Sequence, residues 1–222
     1  AAAYIFPDNT HNYLYDVMNM LMEHGIEIHQ AKTDFNVIKA HNYKDGIANR
    51  HEFNKGDFVI FTDQPRHLFI NTVLQREMEI EDSIMYDMST WSAPLAYNLE
   101  AYWTENKVRM GTTRLTEKLN YPSGLTKKKD PYAYVINWHQ RNAPKALAML
   151  WNKGYHVRSA RKEFNNGIRD YPRGTLVILI GRNQEKQKSV QNDMKIIAST
   201  AGVEIETFET GRMNSGIDFG SG

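Results

Sequence analysis

The sequence contains no cysteine among its 222 residues. This absence excludes disulfides, thiolate zinc sites and cysteine nucleophiles, including the nucleophile that a glutamine amidotransferase requires. The longest apolar runs, at residues 1–6 and 146–151, have six residues each and are far too short to cross a bilayer. Neither sign of charge is in excess, because 27 Lys and Arg residues face 26 Asp and Glu residues. We therefore expect no membrane partner and no nucleic-acid partner.

Several cofactor and catalytic motifs are also missing. The sequence has no G-x-x-x-x-G-K-[ST] phosphate loop and no G-x-S-x-G nucleophile elbow, and Gly181 is not followed by the glycines of a dinucleotide fingerprint. The sequence therefore predicts no cofactor. Its only basic run, Lys127 to Lys129, lies close to Pro122 and Pro131, which is typical of a solvated linker.

The residues that are present favour a folded α/β domain. Apolar residues make up 41% and charged residues 24%, which is enough to bury a core. Three amphipathic helical patterns end at Gly25, Gly154 and Gly202, and each glycine is followed by a β-rich run. Glycine suits the left-handed position that ends a helix. The strands predicted in this way lie near residues 4–7, 26–31, 57–62, 133–138, 155–160, 175–180 and 203–208.

Helices that alternate with short strands indicate βαβ units. Nearly continuous apolar runs such as "TLVILI" are typical of strands that are buried on both sides. We therefore predict a mainly parallel sheet with helices on both faces, Rossmann-like or flavodoxin-like.

The sequence also contains an internal repeat. Tyr4–Ile5–Phe6, a helix, "HGIEIHQA" (24–31) and "KGDFVIF" (55–61) resemble Tyr134–Val135–Ile136, a helix, "KGYHVRSA" (153–160) and "RGTLVIL" (173–179). This similarity predicts two βαβ-βα halves. The predicted boundaries are 1–121 for the first half, 122–131 for a linker, and 132–222 for the second half.

The stretch "MEHGIEIH" (22–29) contains the H-x-x-E spacing of a zinc ligand pair. In the repeat, His24 aligns with Lys153 and Glu27 aligns with His156, at the same helix-to-strand junction. A cation at His24 complements the end of its helix, and Glu27 lies on the face opposite Ile26 and Ile28. We interpret the motif as part of an ordinary helix-to-strand junction and expect no metal site.

Four polar loops follow predicted strands and are rich in Asn, Gln, His and Arg. If the sheet is parallel, these loops meet beyond the carboxyl ends of the strands and form a candidate ligand crevice. The same composition also suits exposed loops whose residues cap the next helix. The candidate ligand residues are Asn9, His11, Gln64, Arg66, His139, Arg141, Arg182 and Asn183.

The segment 83–103, "SIMYDMSTWSAPLAYNLEAYW", is unusually aromatic. Leu95, Leu99 and Tyr102 are spaced as one helix face, and Ser92 or Thr90 would cap the start. Packing on the sheet is one interpretation, and a platform for a peptide, sugar or neighbouring domain is the other. We expect packing, with part of the face used between domains. The candidate interface residues are Tyr86, Trp91, Tyr97 and Trp103.

The segment "YDMSTWSAPLAYNL" (86–99) resembles the "YD-x-S-x-W-x-x-P-L" segment of large secreted zinc carboxypeptidase-like proteins of bacteria. "GDFVIFTDQPRHLFINTVLQ" (56–75) and "ETGRMNSGIDFGSG" (209–222) are similar to two further segments of those proteins. The resemblance implies a position between a catalytic peptidase domain and a C-terminal glutamine-amidotransferase-like domain. No residue here matches the family's metal ligands, its substrate-clamping arginine or its catalytic glutamate.

The resemblance therefore implies a non-catalytic accessory domain, periplasmic or secreted, for domain docking or substrate access. The parent would be a metallocarboxypeptidase, and the partners would be other domains of the same polypeptide. Ends at Ala1–Ala2–Ala3 and Gly220–Ser221–Gly222 are what an excised or processed piece would show. Two alternatives are an independent module that binds a small polar ligand or peptide, and a hydrolase that uses histidine and carboxylates in the crevice.

Overall fold

The computed structural model describes residues 1–9, 13–77, 92–126, 128 and 130–220. The chain divides into two compact units, Ala1–Leu119 and Asn120–Gly222. Within the described ranges, every helix is too short or too polar to span a membrane.

The first unit is built on a seven-stranded sheet with the order β4-β3-β6-β1-β5-β2-β7. Every neighbouring pair in this sheet is antiparallel. The elements are β1 (Ala3–Phe6), α1 (Leu14–Glu23), β2 (His29–Ala31), β3 (Phe35–Asn42), β4 (Ala48–Phe53), β5 (Phe58–Phe61), α2 (His67–Leu74), α3 (Ala93–Ala96), β6 (Tyr102–Thr104) and β7 (Thr112–Arg114).

The second unit is built on a five-stranded sheet with the order β10-β13-β9-β14-β8 and a separate β11–β12 hairpin. Only the β14–β8 pair of the described sheet is parallel. The elements are β8 (Gly124–Leu125), β9 (Ala133–Ile136), α4 (Ala143–Asn152), β10 (Arg158–Ser159), β11 (Phe164–Asn165), β12 (Asp170–Tyr171), β13 (Leu176–Leu179), 3-10 turns at Ile180–Arg182 and Gln184–Lys186, α5 (Val190–Ala201) and β14 (Glu204–Phe208).

The prediction of a mainly parallel, Rossmann-like or flavodoxin-like sheet with helices on both faces is wrong. In β13, Leu176 and Ile178 pack in the core beneath α4 and α5. Val177 and Leu179 pack on the other face, against Phe164 of the β11–β12 hairpin. The helices cover one face and the hairpin covers the other. Burial on both sides therefore makes the run "TLVILI" continuously apolar without requiring a parallel sheet.

The internal repeat is present in the strand order. The core of the first sheet runs β6-β1-β5-β2, and the core of the second runs β14-β9-β13-β10. Both have the connectivity of a βαββαβ unit, the split βαβ or ferredoxin-like motif. The hairpin between the second and third core strands is longer in the first unit (β3–β4) than in the second (β11–β12).

Equivalent hydrogen bonds support the repeat at single-residue level. The N–H of Ala31 donates to the carbonyl of Asp57 at 3.0 Å, and the N–H of Ala160 donates to the carbonyl of Thr175 at 2.9 Å. The predicted helix-ending glycines are confirmed, because φ is 75° at Gly25, 76° at Gly154 and 75° at Gly202. The ends of these helices could therefore be predicted from the sequence, whereas the directions of the strands could not.

An ion pair joins the end of α4 to the first turn of α5. Lys153 Nζ lies 2.8 Å from Asp193 Oδ1, and the Tyr155 hydroxyl donates to Asp193 Oδ2 at 2.7 Å. Burial alone would raise the pKa of the Asp193 carboxyl, but hydrogen bonds from Lys153 and Tyr155 outweigh burial and lower it. The carboxylate form therefore stabilises the fold.

We expect Asp193→Asn to lower the free energy of unfolding at pH 7 by about 1 kcal/mol. A carboxyl whose folded pKa is depressed stabilises the fold above its unfolded pKa, and that stabilisation is lost as pH falls through the folded value. The difference from wild type should therefore shrink below about pH 4. Urea unfolding at pH 7 and pH 3 measures it, with the exposed Glu185→Gln as control. A difference that does not change with pH would contradict the assignment.

Candidate functional site

The predicted crevice is not formed within either unit. Because β1 and β5 are antiparallel, the loop that follows β1 and the loop that follows β5 lie at opposite ends of the sheet. The same holds for β9 and β13 in the second unit. Loops that would converge above a parallel sheet are therefore separated here.

The loop after β1 is only partly described. His11 lies outside the described residues, whereas Asn9 is exposed and lines a polar cleft of about 350 Å³ with Asn42, Asn98 and Glu100. In the loop after β5, Arg66 precedes α2 and its guanidinium lies against Gly25. Asn9 and Arg66 are thus at different ends of the first sheet.

Gln64 holds the start of the second core strand. Its side-chain oxygen accepts the N–H of Glu27 at 2.7 Å. Its amide nitrogen donates to the carbonyls of Glu27 at 3.1 Å and Phe61 at 2.7 Å. These bonds satisfy backbone groups at the junction that follows α1.

Asn183 makes the same arrangement in the second unit. Its Oδ1 accepts the N–H of His156 at 2.8 Å, and its Nδ2 donates to the carbonyls of His156 at 3.1 Å and Leu179 at 2.8 Å. The side chain is almost fully buried. The sequence predicted Gln64 and Asn183 as ligand residues of a crevice. In the structure, their side chains instead bind backbone groups at equivalent positions of the two units.

In the loop after β9, His139 is exposed and its backbone N–H donates to Asn137 Oδ1. Arg141 is half-buried and has a partner within the protein. The residue between them, Gln140, clamps the start of β14, because it accepts the N–H of Glu204 at 2.6 Å and donates to its carbonyl at 2.8 Å. This role of Gln140 was missed.

Arg182 lines a cleft of about 580 Å³ beside the end of α4. Trp151, which is 62% exposed, and His156 line the same cleft. Arg158 completes one side of it. An exposed tryptophan among cationic side chains is typical of a recognition surface.

A second cleft, of about 280 Å³, shares Arg158 with the first. Phe164, Val177 and Phe219 supply apolar lining, and Arg161 supplies a further charge. The Arg158 guanidinium donates to the carbonyl of Phe219 at 3.2 Å, which holds it between the two clefts. Asp218 also lines the cleft, where its carboxylate accepts the N–H of Met213 at 2.7 Å.

These clefts lie in a locally basic part of the chain. Residues 151–189 contain nine Lys or Arg residues against three Asp or Glu residues, although the whole chain has a formal charge of +1. Within the described residues, neither Arg161 nor Arg182 forms an ion pair. Sequence reasoning missed this surface because the charges are interspersed and form no run; a windowed charge count would have found it.

Only part of the aromatic segment is described, and Tyr86 and Trp91 lie outside the described residues. The prediction of one helix face through Leu95, Leu99 and Tyr102 is wrong, because α3 ends at Ala96 and Tyr102 belongs to β6. Ser92 does occupy the N-cap position, without a side-chain capping bond.

The two described interface candidates differ in their surroundings. Trp103 lies in β6 and stacks on His41 at 4.8 Å, with Tyr43 edge-on at 5.1 Å. Tyr97 is 44% exposed and contacts Tyr13 at 5.0 Å. Trp103 therefore packs within the first unit, whereas Tyr97 remains on its surface.

His24 and Glu27 point to different partners. His24 Nδ1 lies 2.8 Å from the carbonyl of Met20, and its ring stacks on Phe69. Glu27 forms an ion pair with Arg114 at 2.8 Å. Across the described ranges, the structure contains no group of three His, Asp or Glu residues suited to hold a metal ion.

Comparison with known proteins finds no matching family model, no matching curated protein and no matching solved structure.

Proposed function

We propose that the chain is a non-catalytic docking module that accepts an extended polypeptide segment as an added strand beside β10. β10 is the terminal strand of its sheet among the described residues. Strand addition at a sheet edge uses backbone hydrogen bonds for affinity and flanking pockets for alternate side chains of the added segment. The two clefts around Arg158 flank this edge.

The backbone of the β10 segment alternates between two sides. His156 is bound through both backbone groups to Asn183, and Ala160 bonds to Thr175 and Gly174 on the β13 side. Alternate residues of a strand direct their backbone groups to opposite edges. Val157, Ser159 and Arg161 therefore direct theirs to the open edge.

The single observation that carries the proposal is the equivalent edge in the first unit. There β7 pairs with the outer side of β2. Leu115 N–H donates to the carbonyl of Ile28 at 2.8 Å, and Lys32 N–H donates to the carbonyl of Gly111 at 2.9 Å. By the repeat, Ile28 and Lys32 correspond to Val157 and Arg161. The same edge is thus filled in one unit, whereas no described strand fills it in the other.

The sequence resemblance supports a natural setting for this module. In a secreted zinc carboxypeptidase-like protein, the added segment would come from another domain of the same polypeptide or from a peptide. The module would then contribute domain docking or substrate access. The parent reading frame tests this setting, because an upstream peptidase domain is expected; a frame that encodes none would remove the accessory role.

The docking function itself is tested with three acetylated, amidated heptapeptides in which threonine alternates with glutamate, glutamine or lysine. We expect at least one to bind the full chain and to lose about tenfold or more in affinity on Ser159→Pro. That variant removes an outward N–H, and proline is tolerated at strand edges where the N–H faces solvent. Isothermal calorimetry measures binding, and urea unfolding verifies that the variant is folded.

A peptide methylated on alternate backbone nitrogens provides a test that needs no protein variant. N-methylation removes the peptide donors that strand addition requires, so binding should be lost in one of the two methylation registers. Binding that survives both registers and Ser159→Pro, or no binding by any of the three peptides, would overturn the docking proposal.

A further inference from the structure

The charges around β10 specify the chemistry of its partner. We infer that the added strand is an acidic segment that runs antiparallel to β10, with its amino end near Arg161 and its carboxyl end near Trp151 and Arg182. This inference rests on the proposed docking function. It assigns the partner's charge and direction, which the open edge alone does not.

The direction follows from the first unit. β7 is antiparallel to β2, with Thr112 opposite Ala31 and Arg114 opposite His29. After β7, the chain continues past the end of α1, where Lys118 Nζ lies 2.6 Å from Glu23 Oε1. A segment on β10 with the same geometry would pass from the cleft at Arg161 to the cleft at the end of α4.

Bonds beyond β7 show how far such a contact extends. Asn19 of α1 accepts the N–H of Leu119 at 2.8 Å and donates to its carbonyl at 2.9 Å. By the repeat, Met22 corresponds to Trp151. A partner segment that follows this path therefore crosses Trp151, whose large exposed ring supplies apolar area for the contact.

The charge of the partner follows from the cationic side chains along the path. Arg158 lies between the clefts, and Arg161 and Arg182 lie one on each side of it. Arginine pairs with carboxylates through a planar fork of donors, which favours glutamate or aspartate on the partner. The first unit shows the same principle, because Arg114 of β7 pairs with Glu27 at 2.8 Å.

A second copy of the chain does not fit this edge. Antiparallel pairing of two β10 strands about a twofold axis would bring two sets of Arg158 and Arg161 together. Like charges placed opposite each other across a strand pair are destabilising. The edge is therefore suited to an acidic partner rather than to itself.

Among the three heptapeptides, we expect the glutamate form to bind best and the lysine form to bind worst. The double variant Arg161→Gln and Arg182→Gln should weaken the glutamate peptide about tenfold and the glutamine peptide much less. Raising the salt concentration should reduce the difference between the peptides. Lys195→Gln, at an exposed position on α5, is the control for loss of a surface charge away from β10 and should change neither affinity.

Photo-crosslinking tests the direction. A benzophenone at the carboxyl end of the glutamate peptide should label residues near 147–156, and one at the amino end should label residues near 160–163 and 217–219. The reversed pattern would overturn the predicted direction.

Three further outcomes separate the proposals. If the glutamine or lysine peptide binds as well as the glutamate peptide and remains sensitive to Ser159→Pro, docking stands and the acidic partner is wrong. If the glutamate peptide binds but survives Ser159→Pro and both methylation registers, the surface is an anion site and both proposals fail. A single-stranded oligonucleotide that binds through Arg161 and Arg182 and is insensitive to Ser159→Pro would assign the surface to nucleic acid.

Discussion

Asn183→Ala is expected to lower the free energy of unfolding of the second unit by about 3 kcal/mol. Asn183 is 1% exposed and makes three hydrogen bonds to the backbone of His156 and Leu179. Alanine leaves these backbone groups without their partner, and an unpaired buried polar group costs about 1–3 kcal/mol. The start of β10 should therefore separate from the end of β13.

Urea unfolding of the full chain, combined with hydrogen exchange of the β13 amides, measures the effect. Gln184→Ala is the matched control, because the neighbouring side chain is exposed. We expect it to remain within about 0.5 kcal/mol of wild type. Gln64→Ala should act in the same direction on the first unit but more weakly, because Gln64 is half-buried. Equal effects of Asn183→Ala and Gln184→Ala would show that Asn183 is not a clamp.

Gly216→Ala is expected to release residues 213–219, which pack with the β11–β12 hairpin on one face of the second sheet. We expect it to lower the free energy of unfolding by about 3 kcal/mol or more. Gly216 has φ of +88°, which strains any other residue. A Cβ there would overlap the carbonyl oxygen of Glu163 and lie 2.7 Å from Cα of Phe164. Both are backbone atoms and cannot move aside cheaply. The Ser215 bridge to Asn165 should then be lost.

The release should be visible at Phe219, whose ring contacts Phe164 at 5.2 Å and Phe208 at 5.4 Å. Hydrogen exchange of β11 and β12 and urea unfolding of the full chain report it. Gly220→Ala is the control in the same segment, since a Cβ at that position meets nothing within 4 Å. Unchanged exchange in Gly216→Ala would mean that the segment does not depend on this close approach.

The sequence predicted the elements better than their arrangement. Gly25, Gly154 and Gly202 identified three helix ends because a left-handed residue has a strong local preference. The apolar run in β13 identified a strand buried on both faces, but the covering layers are helices on one face and a hairpin on the other. Strand direction depends on which strands become neighbours, and that information is not local.

The candidate site was only partly predictable. Arg182 was identified because it follows a strand, and the structure places it in a cleft with Trp151. Arg158 and Arg161 were not, because the place of β10 at the end of the strand order among the described residues depends on how β9 and β13 pair, which is not local information. Gln64 and Asn183 have the residue types of ligand-binding loops, yet their donors and acceptors are used by the backbone.

The position of the first core strand affects how each unit is made on the ribosome. β1 lies between β5 and β6, and β9 lies between β13 and β14, so the first of the four core strands to be synthesised becomes an inner one. Each sheet therefore closes only after its last core strand, Tyr102–Thr104 or Glu204–Phe208, has been translated. By the time β10 is synthesised, the chain has already produced β7, which pairs with β2. The outer edge of β2 can therefore be occupied by β7 before β10 is translated.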